Sequence, residues 1–126
     1  MSKEAKKKVL LVEDDPTQAM MYELVFSNDG YQVMIADTGA KALKLAAEEQ
    51  PDIILLDMIL SDMGGLELLK KLKAAEETKK IKTVVLSNLQ KKEIIDEAKA
   101  LGALDFLVKV HFFPKEIVER CTKFLS

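Results

Sequence analysis

Val9-Leu10-Leu11-Val12-Glu13-Asp14-Asp15-Pro16 runs four apolar residues into three acids and a proline. The apolar four lack the polar alternation of a half-exposed strand and so fit a strand covered on both faces. Asp15-Pro16 reads as a helix cap followed by proline in the first turn, where a missing N–H leaves nothing unsatisfied. Strand, acidic turn and helix start thus follow one another within a single stretch.

The same succession recurs along the chain. Further short runs rich in Val, Ile and Leu stand at 33–36, 53–56, 83–86 and 106–108. Between the runs, apolar residues return at helical spacing. Met20, Met21, Leu24 and Val25 read as the buried stripe of the first helix, and the Ala- and Leu-rich segment 41–49 as the second. Leu66, Leu69 and Leu72 mark the third, Ile94, Ile95, Ala98 and Leu101 the fourth, and Ile117, Val118, Cys121, Phe124 and Leu125 the last. Asn28-Asp29-Gly30 and Leu101-Gly102 end helices, and Pro114 opens the final one. Strand and helix alternate five times. This predicts an α/β domain with a doubly wound five-stranded parallel sheet, right-handed crossovers and strand order 2-1-3-4-5. Ligands bind such sheets outside the carboxyl ends of strands 1 and 3, where the winding reverses.

A chain of 126 residues with 48% hydrophobic content has room and material for one core. Its 19 Lys and Arg nearly cancel its 21 Asp and Glu, so no basic field exists to hold nucleic acid. The single cysteine, Cys121, excludes a disulfide framework and multi-cysteine zinc sites, and the single histidine, His111, removes most imidazole chemistry. The basic start at 1–8 is followed by too short an apolar run for a signal peptide, and no run approaches the roughly 20 residues needed to span a bilayer. A cytoplasmic protein with no membrane partner is expected, with Lys6, Lys7 and Lys8 as a solvated lead-in to the first strand.

Chemistry must then come from carboxylates. Four apolar runs stop at a polar residue on the same edge of the sheet: Glu13-Asp14-Asp15, Asp57, Ser87 and Lys109. In the expected order these strands are neighbours, so the groups converge at one crevice. One lysine cannot offset that many acids, whereas Mg²⁺ or Mn²⁺ suits hard carboxylate oxygens and invites a phosphoryl group. An aspartate can serve as a phosphoryl-accepting nucleophile, and Asp57 sits centrally. Lys109 supplies a point charge for one phosphoryl oxygen and Ser87 a hydroxyl for another.

At this point the chain resembles the receiver domains of two-component response regulators, over essentially its whole length. The motifs are Val9-Leu10-Leu11-Val12-Glu13-Asp14-Asp15-Pro16, Pro51-Asp52-Ile53-Ile54-Leu55-Leu56-Asp57, Met63-Gly64-Gly65-Leu66-Glu67-Leu68-Leu69, Ser87, and Gly102-Ala103 followed by Phe106-Leu107-Val108-Lys109. The resemblance implies a (βα)5 flavodoxin-like receiver fold over 1–126 with no output domain, similar to a stand-alone chemotaxis receiver. It implies that Asp57 accepts phosphate from a histidine kinase or phosphotransfer protein. Asp14 would ligate the metal directly and Glu13 through water, with Asp57 and the backbone carbonyl of Ile59 completing the set. Ser87 would be the switch hydroxyl and Lys109 would match the family's lysine. Phe106 falls where the family has an aromatic whose rotamer follows that hydroxyl, coupling the site to a protein-binding face made of the helix at 91–101, the strand at Phe106 and the last helix. Such a protein is a phosphoacceptor rather than an enzyme, limited to self-phosphorylation and slow self-dephosphorylation.

Several positions depart from the family pattern. Ser61 replaces a frequent proline, which should loosen the 61–65 loop. Val110 replaces the proline that usually follows the lysine through a cis bond. Lys109-Val110 is then either trans with the lysine re-aimed, or cis at a cost of about 2.5 to 4 kcal/mol. Ile59 and Leu89 offer no polar group to orient water, so self-hydrolysis should be slow. Asn88 is bulkier than the small residue often found there and would narrow access for the phosphodonor. Asp15 reads as a cap rather than a ligand, His111 as structural and Cys121 as buried packing. Core filling by Phe106 competes with the switch role. Two other functions stand beside the leading one: a receiver-like interaction module that takes no phosphate, and a metal-dependent aspartyl phosphatase, which would want an acid at position 59. Flavin binding would need a different loop after the first strand.

Overall fold

Ile53, Ile54, Leu55 and Leu56 are all fully buried, so the strand they form must be covered on both faces and flanked on both sides. The computed structural model, which describes residues 6–125, places this strand, β3 (Ile53–Leu56), in the middle of a five-stranded parallel sheet ordered β2-β1-β3-β4-β5. The others are β1 (Lys8–Val12), β2 (Gln32–Ala36), β4 (Lys82–Ser87) and β5 (Asp105–Val108). The helices are α1 (Pro16–Asn28), α2 (Gly39–Glu49), α3 (Gly65–Ala74), α4 (Lys92–Ala100) and α5 (Pro114–Leu125), with a 3-10 turn at Lys109–His111. The predicted order and alternation are those observed. Residues 1–5, weighed above as a leader, and Ser126 lie outside the described residues.

Alternation along each strand divides the core into two layers. Leu10, Val12, Ile54, Leu56, Val85 and Phe106 face Ala42, Ala46, Leu68, Leu69, Leu72 and Ala98. Val9, Leu11, Ile53, Leu55, Val84, Leu86 and Leu107 face Ala19, Tyr22, Phe26, Ile117, Val118 and Cys121. Register pairs Val12 with Leu56, Leu56 with Val85, and Ser87 with Val108, which brings four strand ends to one edge. Lys6 and Lys7 are exposed as expected, while Lys8 enters β1 and donates its backbone N–H to Asp52 Oδ2 at 2.7 Å. No helix among the described residues is long and apolar enough to cross a membrane.

One helix face differs from expectation. In α1 the buried residues are Ala19, Tyr22 and Phe26, while Met20 is 68% and Leu24 59% exposed and Met21 also faces solvent. This helix is apolar almost all round, so two stripes at helical spacing compete. Burying two aromatic rings removes more surface from water than burying two methionines. Phe26 also meets Tyr31 edge-on at 5.7 Å. The cap of α1 is as read: the Asp15 carboxylate accepts from the N–H groups of Thr17 (2.9 Å) and Gln18 (3.4 Å).

The loop after β3 is held more firmly than the Ser61 substitution suggests. The two oxygens of Asp62 accept the N–H groups of Gly39 (2.8 Å) and Ala40 (3.0 Å) at the start of α2. Thr38 Oγ1 takes the Lys41 N–H, so α2 begins at Gly39 rather than 41. An Ile59–Gly64 bridge and a Gly65 N–H to Met58 O bond of 2.9 Å close the loop on itself. Two glycines permit this through close approach. A Cβ on Gly65 would lie 2.4 Å from Met58 Cα and 2.7 Å from Asp57 O, and one on Gly39 would lie 2.6 Å from the Met63 side chain.

Candidate functional site

The site is assembled from the residues that follow each strand. Beyond Val12 the sheet pairing continues far enough for Glu13 N–H to bond Ala36 O at 3.0 Å and Asp57 N–H to bond Val12 O at 3.1 Å. These backbone ties fix the two carboxylates beside each other at the switch point, both buried. Ser87 is the last residue of β4, and Lys109 the first of the 3-10 turn that ends β5; both are buried.

Lys109 Nζ donates to Glu13 Oε1 at 2.6 Å, to Asp57 Oδ2 at 2.9 Å and to Gln18 Oε1 at 2.6 Å. An ammonium carries three donors, so all of them are engaged. Asp57 Oδ1 accepts from Ser87 Oγ at 2.7 Å and from Ile59 N–H at 3.1 Å. Asp15 N–H donates to Glu13 Oε2 at 3.2 Å, and Leu89 N–H to Ser87 Oγ at 3.3 Å. Burial pushes the Lys109 ammonium toward lower pKa, but its bonds to Glu13 and Asp57 outweigh that and hold it above its ordinary 10.5. Burial likewise raises the Tyr22 phenol; Lys109 opposes the rise, and Glu13 and Asp57 reinforce it.

A cleft of about 240 Å³ opens over this cluster, with exposed Asp14, Asp15, Ile59 and Asn88 among its walls. A larger cleft of about 380 Å³ lies beyond Asp14, between α1 and the edge strand β2. It lacks Asp57, Ser87 and Lys109, all three of which line the smaller cleft.

Glu13, Asp57, Ser87 and Lys109 are therefore in direct contact as one cluster. Asp14 lines the cleft without bonding to the others, and Ile59 stands exposed at its mouth. Phe106 is buried in the layer beneath α4 rather than in the cleft. The peptide bonds of the described residues are all trans, Lys109-Val110 included, and the lysine still reaches Asp57. His111 closes the 3-10 turn and is exposed, outside the cleft. Cys121 is fully buried and burial, with Asp105 adding, pushes its thiol up to about 12.

One residue of the site, Gln18, escaped the sequence reading, and so did the bonding partner of Asn88. Gln18 is the polar residue one turn after the Asp15 cap, a spacing that returns it to the strand ends. Asn88 Oδ1 accepts the Val110 N–H at 3.0 Å; the hint was that valine, unlike proline, has an N–H to satisfy.

The available donors are hard oxygens, suited to Mg²⁺ or Mn²⁺. Among the described residues no group of three acidic, His or Cys side chains is gathered to hold an ion unaided, because Glu13 and Asp57 are both turned onto Lys109. Such a set fits a cation that takes one or two carboxylates and otherwise keeps its waters, as Mg²⁺ does.

A five-stranded doubly wound sheet with an aspartate, a hydroxyl and a lysine converging at its carboxyl edge defines a class, and residues 9–122 match the response regulator receiver domain, the family to which this chain belongs. It is 35% identical over 118 residues to sporulation initiation phosphotransferase F of Bacillus subtilis, covering 94% of this chain and 93% of that one. Chemotaxis protein CheY of Thermotoga maritima is 32% identical over 118 residues, covering 93% and 96%. Among solved structures, a CheY-like receiver domain protein from Methanospirillum hungatei superposes with a TM-score of 0.89 at 26% identity, over 96% of this chain and 94% of its own. Receiver domains are signalling phosphoacceptors of two-component systems rather than enzymes in the ordinary sense.

Proposed function

We propose that the chain acts as a response regulator receiver in which Asp57 takes a phosphoryl group from a histidine kinase or phosphotransfer protein. The observation that carries this is the convergence of Lys109 and Ser87 on the two oxygens of Asp57 at the floor of an open cleft. An ordinary carboxylate is ionised at neutral pH. One Asp57 oxygen attacks phosphorus in line with the leaving group; the new O–P bond forms as the bond to the donor nitrogen breaks, and its electron pair leaves with the imidazole. Lys109 and Ser87, already on Asp57, are placed to donate to the oxygens of the transferred group.

Asp14, Asp57, the Ile59 carbonyl and, through water, Glu13 would hold Mg²⁺ or Mn²⁺, whose charge when bound stabilises the transferring phosphoryl group. The engagement of Glu13 Oε1 with Lys109 supports an indirect role for that acid.

The added charge of about −1.5 to −2 on Asp57 shifts a two-state element, with Ser87 and Phe106 as its inner parts. The face of α4, β5 and α5 then carries the signal to a protein target in the cytoplasm, with no nucleic acid or membrane involved. Apolar Ile59 and half-buried Leu89 orient no water, so the acyl phosphate is long-lived; a lifetime of seconds would contradict this. With isoleucine at 59, an aspartyl phosphatase lacks its second acid.

The test is incubation with Mg²⁺ and acetyl phosphate followed by intact mass, with Asp57→Asn as control. A phosphate-sized addition absent from the variant supports the switch. Turnover without adduct would indicate a phosphatase, and no reaction an interaction module that takes no phosphate.

A further inference from the structure

The register between β4 and β5 ends at Ser87 and Val108. From there the chain diverges into two loops, one carrying Asn88 toward α4, the other carrying Lys109 and Val110 into the 3-10 turn. Neither loop would be expected to keep its neighbour's position, since the ladder that aligned them has stopped. Yet Asn88 Oδ1 accepts the Val110 N–H at 3.0 Å, across 22 residues of sequence. The carboxamide must present its oxygen here, because its partner is a donor.

The pairing has a particular symmetry. Asn88 is the residue after the hydroxyl that bonds Asp57 Oδ1, and Val110 is the residue after the ammonium that bonds Asp57 Oδ2. The Val110 N–H belongs to the first turn of a short helix, where donors have no partner within the helix. A proline at 110 would carry no such donor, and the carboxamide at 88 would have nothing to accept.

We propose that Asn88 is a positioning residue for phosphoryl transfer: by holding the Val110 N–H it locks the Ser87 loop to the Lys109 loop, so that hydroxyl and ammonium stay aimed at Asp57 together. The proposal rests on the phosphoacceptor reading of Asp57. It opposes the alternative in which Asn88 only obstructs the phosphodonor, and the two differ in sign. Truncating an obstruction speeds transfer, whereas truncating a latch slows it. A net hydrogen bond of this kind is worth about three- to tenfold in an equilibrium.

The experiment measures the initial rate of phosphorylation by acetyl phosphate with Mg²⁺, by intact mass, for the wild type, Asn88→Ala, Val110→Pro and the double variant. The expected result is a slowing of about three- to tenfold for Asn88→Ala in the Val110 protein and little or none in the Val110→Pro background, where no donor remains. Amide exchange at Val110, read by NMR without any phosphodonor, should accelerate in Asn88→Ala by a similar factor. A faster Asn88→Ala protein, an equal slowing in both backgrounds, or unchanged exchange at Val110 overturns the latch. If the wild type itself gains no phosphate, the phosphoacceptor reading fails first and the proposal with it, an outcome distinct from the other three.

Discussion

Replacing Lys109 by methionine keeps an unbranched apolar stem and removes the charge and its three donors. Glu13 and Asp57, 3% and 8% exposed, would then face each other without a cation. Removing one member of a buried ion pair typically costs 3–5 kcal/mol because the partner is left charged and unpaired. The cleft admits water on one side, which places the expected loss for Lys109→Met at the low end, about 3 kcal/mol. Urea unfolding at pH 7 in metal-free buffer reads this as a lower midpoint with unchanged slope. Adding Glu13→Gln to the variant should recover part of the loss, because the uncompensated carboxylate is gone. Mg²⁺ should raise the midpoint of the variant more than that of the wild type, since a bound cation replaces the missing charge. The pH dependence has a definite sign. A lysine held above 10.5 contributes stability that is complete below 10.5 and is lost as pH rises through the folded value. The wild type should therefore lose stability on that alkaline limb, while the variant has no such contribution to lose. A loss below about 1 kcal/mol at pH 7 without metal, the range of exposed ion pairs, would refute the view that these charges form a buried, mutually dependent cluster.

Other outcomes follow from the same geometry. Gly65→Ala would drive a Cβ to 2.4 Å from Met58 Cα, against backbone that cannot yield, and should cost about 2–3 kcal/mol in urea unfolding; a neutral result would mean the loop is free to retreat. Cys121, with its thiol pushed up to about 12 and no exposed surface, should resist iodoacetamide at pH 8 in the folded protein and react in denaturant. Hydrogen bonds from Gly39 and then Ala40 hold the Asp62 carboxyl below its ordinary 3.8, so its contribution is complete above 3.8 and lost as pH falls below it. Thermal midpoints of Asp62→Ala and wild type should accordingly differ at pH 7 and converge in acid.

Strands β1, β3 and β5 were readable because each carries a continuous buried run that ends at a polar residue, so hydrophobicity and chemistry marked the same boundaries at Val12, Leu56 and Val108, whereas the edge strand β2 is only partly buried. Glu13, Asp57, Ser87 and Lys109 could be grouped because a doubly wound sheet admits few arrangements of its strand ends. What could not be read depended on competition between comparable options. In α1, Met20 and Leu24 form as regular a stripe as Tyr22 and Phe26, and periodicity does not rank them. The partners of Lys109 and Val110 posed a related difficulty. The accepting roles of glutamine at 18 and asparagine at 88 emerge only when a donor from a distant loop arrives within 3.0 Å. The loop after Asp57 looked loose at Ser61 because the ties that hold it lie at Gly39 and Ala40, on a helix that begins more than 20 residues earlier.

Those ties give Asp57 a mooring on the opposite edge of the sheet from Lys109. Asp62 grips the opening of α2 with both oxygens, and Met63 lies across Gly39. The loop that begins at Asp57 thus inherits its shape from a helix that follows the outermost strand. Changes at Thr38, Gly39 or Ala40 would be transmitted along this brace without touching the cleft. A substitution at the head of α2 is accordingly expected to shift the loop beside Asp57 while every residue in contact with that carboxylate is left alone.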